Sequence, residues 1–168
     1  MADTDNHRVQ IFDAALNYRA TLGVSGVQGS DNAHFTRPQD VVVDGDGTIY
    51  VADSGNQRIQ VFNAQRQYLR TLGLTGTQSN EFGRFSEPSS LALDKQHRLY
   101  VADTWNSRIQ VFDKDGVFLT SIGGSASTSP GAMWGPGGVA GGAKGRGDVA
   151  NTRDNPRIGI FPPGGPGW

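Results

Sequence analysis

The sequence contains no cysteine, which excludes disulfides, thiol nucleophiles and cysteine metal ligands and leaves the redox compartment open. It also lacks an excess of charge of one sign: 15 basic residues face 16 acidic ones, so no overall field favours nucleic acid or an anionic membrane. No apolar run approaches the roughly 20 residues of a membrane helix. The opening residues include Asp3 and Asp5 and lack the regions of a signal peptide. We therefore expect a soluble chain and predict no compartment.

What the sequence does contain is a repeat with a period of 50 residues. The segment 51–62, Val-Ala-Asp-Ser-Gly-Asn-Gln-Arg-Ile-Gln-Val-Phe, returns at 101–112, and a third copy occupies 1–12. The three copies share Ala, Asp, Asn, Arg, Gln and Phe at the same positions. Self-similarity at a fixed period of this length is typical of repeat architectures, so the fold must explain it.

Each repeat contains four short segments that are predicted to be strands. Val41–Val43 is a continuous apolar run, and Thr48–Ala52 is rich in β-branched and aromatic residues. Arg58–Phe62 alternates, with Ile and Val on one face, and Tyr68–Leu72 is expected to be a more exposed fourth strand. No segment has apolar residues at helical spacing over two turns, so no substantial helix is predicted. Four strands per repeat favour an all-β propeller, in which one four-stranded antiparallel blade is the repeating unit.

The order of these signals resembles the NHL repeat. Phe-x-x-Pro at 35–38 and 85–88 is followed by an apolar run ending in Asp, by Tyr-Val-Ala-Asp, by Asn-x-Arg-Ile-Gln-Val-Phe and by Leu-Gly. The opening copy also contains Asn6-His7, with which the family's name begins. The resemblance extends over residues 2–123. It implies a β-propeller, commonly of six blades, in a family that includes amidating lyases and RNA-binding propellers; related propellers include metal-dependent lactonases.

The predicted organisation has three parts. NHL-type blades occupy 1–123, with repeat units 2–51, 52–101 and 102–123 onward; a degenerate fourth repeat occupies 124–161, and a flexible Pro/Gly tail 162–168. In the fourth repeat, Trp134-Gly-Pro136 echoes Phe-x-x-Pro. Glycines at 141–147 and Pro156 weaken strand pairing where the second and third strands are expected. An out-of-frame reading of the gene would give a similar composition.

The length of the chain predicts an incomplete ring. Six blades of this period need about 300 residues, and the chain has 168. We expect it to begin at the third strand of a blade and to hold two complete blades, roughly 35–73 and 85–123. A propeller removes its exposed sheet edges by radial closure. The chain is therefore either a fragment of a longer protein or a unit whose copies complete a ring, and both alternatives predict association.

The repeated polar residues are predicted to be structural. This set contains Asp3, Asp53, Asp103, Asn6, Asn56, Asn106, Arg8, Arg58 and Arg108. Each Asp would hydrogen-bond the following turn or the Arg of the neighbouring strand, and each Asn would suit a left-handed turn backbone. The alternative is a ring of carboxylates at a channel mouth.

Positions at which the copies differ are candidates for partner contact. The turns after the second strand contain Thr4-Asp5, Ser54-Gly55 and Thr104-Trp105 and are expected on one rim. A large aromatic residue in a turn is a typical contact residue. The polar, Gly-rich insertions 24–34 and 74–84 could form a binding edge. The candidate partner-contacting residues are Trp105, Asp5, Gly55, Arg84 and His34.

No catalytic residue, metal ligand or cofactor is predicted, because His7, His34 and His97 occupy different places in the repeat without an acidic cluster. We expect a non-catalytic NHL propeller scaffold for protein–protein association or self-assembly. Its partner would be another copy of itself or the missing half of the propeller; no membrane partner is expected. One alternative is a fragment of an amidating-lyase-like or lactonase-like enzyme whose site lies in missing blades. The other is an RNA-binding propeller, which the scattered basic residues do not favour.

Overall fold

A computed structural model of the chain describes residues 1–124, 133–141, 147–151 and 158–161, and these residues form four antiparallel sheets, named blades 1 to 4. Blade 1 contains β1 (Ala2–Asp3), β2 (Arg8–Phe12) and β3 (Tyr18–Leu22). Blade 2 contains β4 (Pro38–Val43), β5 (Ile49–Asp53), β6 (Arg58–Phe62) and β7 (Tyr68–Gly73). Blade 3 contains β8 (Pro88–Leu93), β9 (Leu99–Asp103), β10 (Arg108–Phe112) and β11 (Phe118–Gly123). Blade 4 contains β12 (Pro136–Gly141), β13 (Gly147–Asn151) and β14 (Ile158–Phe161).

The predicted all-β propeller segment is confirmed. Blades 2 and 3 are complete four-stranded meanders with the same register, since Asp53 pairs with Arg58 as Asp103 pairs with Arg108. Blade 1 differs slightly from expectation: it begins with the last two residues of a second strand, β1, and not at the third strand. Within the described residues, the helical segments are three short 3-10 turns, Thr4–Asn6, Ser54–Asn56 and Thr104–Asn106.

The 3-10 turns depart from the sequence-based expectation in one respect. Each is followed by a residue with a left-handed backbone, which lets the chain reverse into the next strand. That residue is His7, Gln57 or Ser107, with φ of 54°, 58° and 55°, and not the preceding Asn. The Asn residues lie inside the turns instead, which leaves their side chains free to bind the aspartates described below.

The hydrophobic core lies between the blades, because alternate residues of each strand point to opposite faces of its sheet. Along β5, Ile49 and Val51 join a cluster with blade 1, while Tyr50 and Ala52 join a cluster with blade 3. A third cluster joins blades 3 and 4. Blades 1 and 4 share no such cluster among the described residues, so this part of the chain is an open series of blades.

An apolar side chain just before the first strand of a blade closes the core between that blade and the preceding one. In blades 2 and 3 this residue is Phe35 or Phe85, exposed by 1% and 0%. Phe85 lies so close to Gly73 (φ +97°) that a Cβ there would be 2.8 Å from the ring. In blade 4 the equivalent residue is Met133, which is 2% exposed, whereas Trp134 is 36% exposed. The expected match of Trp134 to the phenylalanines is therefore wrong by one residue.

Blade 4 forms although glycine separates its first two strands: β12 ends at Gly141, and β13 begins at Gly147. Backbone pairing joins β13 to both β12 and β14. Pro156 and the predicted tail, 162–168, lie outside the described residues. In the described part of the chain, no helix has the length and apolar character needed to cross a membrane.

Candidate functional site

Each complete blade contains a buried polar network centred on the aspartate that ends its second strand. In blade 2, Oδ1 of Asp53 accepts the backbone N–H of Thr36 at 2.7 Å. Its Oδ2 accepts Arg58 Nε at 2.7 Å, Asn56 Nδ2 at 2.9 Å and Gln60 Nε2 at 3.3 Å. Asp53 is fully buried, so these donors replace the water that a charged carboxylate would otherwise need.

The arginine of this network holds the connecting segment, which is the chain between two blades (residues 24–37 and 74–87). Arg58 Nη1 donates to the carbonyl oxygen of Ser30 at 2.7 Å. Its Nη2 donates to the carbonyls of Asp31 at 2.7 Å and His34 at 3.2 Å. Because a guanidinium offers five donors in a fixed fork, one buried side chain here fixes the course of a whole loop.

Blade 3 repeats the arrangement. Arg108 donates from Nε to Asp103 at 2.7 Å, and from its terminal nitrogens to the carbonyls of Asn80, Glu81 and Arg84 at 2.8, 2.8 and 3.1 Å. Burial raises the pKa of Asp103, while the N–H of Ser86 and the side chains of Asn106 and Arg108 oppose that rise. The carboxylates of Asp53 and Asp103 thus accept hydrogen bonds from their own blade and from the connecting segment that precedes it.

The sequence analysis overlooked the glutamines of the repeat, although their presence in all three copies was a visible signal. Gln60 Nε2 donates to the carbonyl of His34 at 3.0 Å. Gln110 Nε2 donates to the carbonyl of Arg84 at 2.6 Å, and its Oε1 accepts the N–H of Gly83 at 2.8 Å. Each glutamine therefore supports the arginine in holding the connecting segment.

Asp40 is a second residue that sequence reasoning missed, because it has no counterpart at the same place in blade 3. Its Oδ2 accepts the N–H of Leu91 at 2.8 Å and the hydroxyl of Ser90 at 3.1 Å. The carboxylate thereby binds the first strand of blade 2 to that of blade 3.

The candidate residues of the insertions, His34 and Arg84, have partly exposed side chains, and their backbone carbonyls are bound inside. The His34 ring contacts Asp31 at 2.8 Å, and Arg84 pairs with Glu81 at 3.1 Å. These side chains brace their loops from outside, while the carbonyls of the same residues accept the buried arginines. The insertions are thus internally held loops whose side chains remain available on the rim.

The candidate turn residues lie beside the ends of the connecting segments. Gly55 donates its N–H to Thr36 O at 2.9 Å, and a Cβ at this glycine would be 2.6 Å from that oxygen. Trp105 likewise donates its backbone N–H to Ser86 O at 3.1 Å, and its indole N–H donates to the carboxylate of Glu87. Trp105 is 58% exposed and Asp5 is also exposed. Turns and connecting segments therefore form one rim.

Blade 1 has the same network residues but holds no connecting segment among the described residues. Arg8 Nε binds Asp3 at 2.7 Å, and the two side chains are 25% and 24% exposed, against 2% and 0% for Arg58 and Asp53. Hydrogen bonds from Asn6 and Arg8 lower the pKa of Asp3, the opposite direction to Asp103. Phe12 is 38% exposed.

One histidine forms an ion-pair contact between blades 2 and 3. His97 Nδ1 contacts Asp44 of the neighbouring blade at 2.8 Å. No group of three or more His, Cys, Asp or Glu side chains that could hold a metal lies within residues 1–124 or the other described parts.

Comparison with known proteins identifies the repeat. The NHL repeat family model matches residues 35–62 and 85–112, which span the cores of blades 2 and 3. No curated protein sequence matches the chain.

Several solved structures share the fold. A streptogramin B lyase is 10% identical, with a TM-score of 0.62 over 95% of this chain and 49% of the other. A catalytically inactive virginiamycin B lyase from Staphylococcus aureus with quinupristin is 14% identical, with a TM-score of 0.60 over 98% of this chain and 51% of that one. A Bacteroides thetaiotaomicron protein of unknown function is 14% identical, with a TM-score of 0.69 over 95% and 44%. This chain thus spans about half the length of these structures, and identities this low show the fold alone.

Proposed function

We propose that this chain, whose blades 2 and 3 match the NHL repeat, acts as a non-catalytic scaffold that associates with protein, including copies of itself. The observation that supports the proposal is the outer face of blade 1, defined as Asp3, Arg8, Gln10, Phe12 and Tyr18. In blade 2 the equivalent phenylalanine, Phe62, is 4% exposed, whereas Phe12 is 38% exposed. A face that the repeat elsewhere buries is therefore open to a partner.

Association would remove two costs of the open face. It would bury the ring of Phe12, and it would supply acceptors to the polar groups beside it. The exposed Trp105 and the connecting segments form a second possible contact area on the rim. Tryptophan and arginine are enriched among residues that dominate binding energy, which agrees with such a role.

Solution mass tests this proposal. Size-exclusion chromatography with light scattering should be run over a range of concentrations, and one chain has a mass of 17.9 kDa. We expect a discrete dimer, or larger open assemblies if the contact is head-to-tail and does not close. The opposite result is a folded protein that keeps the mass of one chain at protein concentrations up to about hundreds of micromolar, at which weak complexes still form. That result would overturn self-association.

The enzyme alternative draws its support from the lyases that share the fold. One fold hosts many activities, so a likeness of 10–14% identity carries no reaction to this chain. An activity would have to be argued from a site, and the arginine–aspartate networks described above are used in holding the blades together. We therefore retain the scaffold as the proposed function.

A further inference from the structure

The outer face of blade 1 presents the side chains that hold connecting segments in blades 2 and 3. We propose that this face binds an extended segment of a partner protein, with the pattern acid-x-x-base-Phe-x-x-Pro. The inference rests on the proposed function, because it names the surface and the kind of segment through which association occurs. The chain itself contains two examples of this contact, in blades 2 and 3.

The arginine of each complete blade recognises backbone carbonyls. Arg58 binds the carbonyls of residues 30, 31 and 34, and Arg108 binds those of residues 80, 81 and 84, all at 2.7–3.2 Å. The side chains at the first of these positions are Ser30 and Asn80, so the contact depends on the path of the segment and little on its sequence there.

A few side chains nevertheless recur in both connecting segments. An acidic and a basic residue pair three positions apart, as Asp31 with His34 and Glu81 with Arg84. The basic residue is followed by the buried phenylalanine, and a proline stands three residues later in both cases. The acid–base pair braces the loop so that its carbonyls converge on the guanidinium, which lowers the entropy lost on docking.

The phenylalanine of each connecting segment packs against a defined aromatic ring of the blade. The ring of Phe35 packs edge-on to Phe62, with 6.0 Å between centroids, and Phe85 lies 5.8 Å from Phe112. In blade 1 the equivalent ring is Phe12, whose described aromatic neighbour is Tyr18, at 6.2 Å. An incoming phenylalanine would therefore meet the same surface as in the complete blades.

Blade 1 already has the side-chain arrangement that this contact needs. Asp3 holds Arg8 Nε at 2.7 Å, the same distance as in the two complete blades, so the guanidinium is fixed before a partner arrives. Within the described residues, the terminal nitrogens of Arg8 have no hydrogen-bond partner. The chain's own copies of the pattern, at 31–38 and 81–88, are docked on blades 2 and 3, and they show the contacts that a partner's segment would make with Arg8 and Phe12.

A peptide experiment tests the inference. A fluorescein-labelled synthetic peptide with the sequence of residues 74–90 is titrated with the full chain, and its anisotropy is followed. We expect saturable binding that weakens by about tenfold or more in Arg8→Ala, because hydrogen bonds from a charged group are lost. A peptide with alanine in place of its second phenylalanine should bind the unaltered chain more weakly, by about the same factor. Arg19→Ala, an exposed arginine of the same blade, is the matched control and should bind as the unaltered chain does.

Three results would overturn the inference: no binding at millimolar concentration, equal binding by Arg8→Ala, or equal binding of the alanine peptide. Solution mass of Arg8→Ala separates this inference from the proposed function. If the unaltered chain and Arg8→Ala assemble alike and neither binds peptide, association uses another surface and only the docking inference is wrong. If the chain stays at the mass of one copy but binds peptide through Arg8, self-association is wrong and the docking inference is supported.

Discussion

Replacing Arg58 by alanine should destabilise the protein far more than the same replacement at Arg8, although the two residues occupy the same position of the repeat. Arg58 is 1% exposed and donates to Asp53, to three carbonyls of the connecting segment and to Thr75. The side chain of Arg8, the equivalent residue of blade 1, is about one quarter exposed and, among the described residues, makes only the contact to the aspartate, Asp3.

The expected magnitude follows from what the truncation leaves behind. Without Arg58, the buried carboxylate of Asp53 loses its counter-charge, and the carbonyls of residues 30, 31 and 34 lose their donor. Breaking a buried ion pair by removing one partner costs about 3–5 kcal/mol. At Arg8, water replaces the lost contact, and an exposed ion pair contributes little.

Urea unfolding followed by circular dichroism measures the two effects. Arg58→Ala should lower the free energy of unfolding by about 3–5 kcal/mol. Arg58→Lys keeps the charge but loses the planar guanidinium, so its free energy of unfolding should lie between those of Arg58→Ala and the unaltered chain. Hydrogen exchange should rise in residues 24–37 of Arg58→Ala, because the segment loses its anchor.

Equal losses of stability in Arg58→Ala and Arg8→Ala would contradict this prediction. The prediction would also be refuted if Arg58→Ala were strongly destabilised while exchange in residues 24–37 stayed unchanged, because the arginine would then act through some contact other than the loop carbonyls. Should Arg58→Ala fail to fold, Arg58→Lys still allows the comparison.

Two further predictions concern the core and the response to alkali. Phe85→Ala should lower the free energy of unfolding by about 3–5 kcal/mol in urea titrations, because it removes a buried ring from the cluster between blades 2 and 3. Phe82→Ala, at a position that is 67% exposed, should lower it far less. Similar losses in the two variants would contradict this prediction. Burial, with the charge of Asp94, raises the pKa of Tyr100 from 10.0 to about 12, so tyrosine ionises first in the unfolded chain and stability should fall as pH rises from 10 towards 12. Tyr100→Phe should flatten this fall in thermal melts across that range, and an unchanged slope would rule out Tyr100 as its source.

Much of the fold could be predicted because its signals are local. Strand alternation has a period of two, so Arg58–Phe62 could be assigned to two faces without knowing its neighbours. The fifty-residue repeat then implied blades, and the structure has strands at each predicted segment of blades 2 and 3. Met133 could not be predicted from the aromatic residue of the Phe-x-x-Pro pattern, because the position requires an apolar side chain of the right size and not an aromatic one.

The repeat could be recognised from the sequence because its copies recur at a fixed spacing of 50 residues. The strands and the aspartate–arginine pairs could be predicted as well, because they depend on residues at most five positions apart. The carbonyls that those arginines bind became visible only in the folded chain. Arg58 meets carbonyls 24 to 28 residues away, and a backbone carbonyl is the same in every residue, so no sequence pattern marks it. Identical motifs also differ in burial, because their surroundings in the folded chain differ. Arg8 and Arg58 differ because a connecting segment covers the second and leaves the first open to solvent.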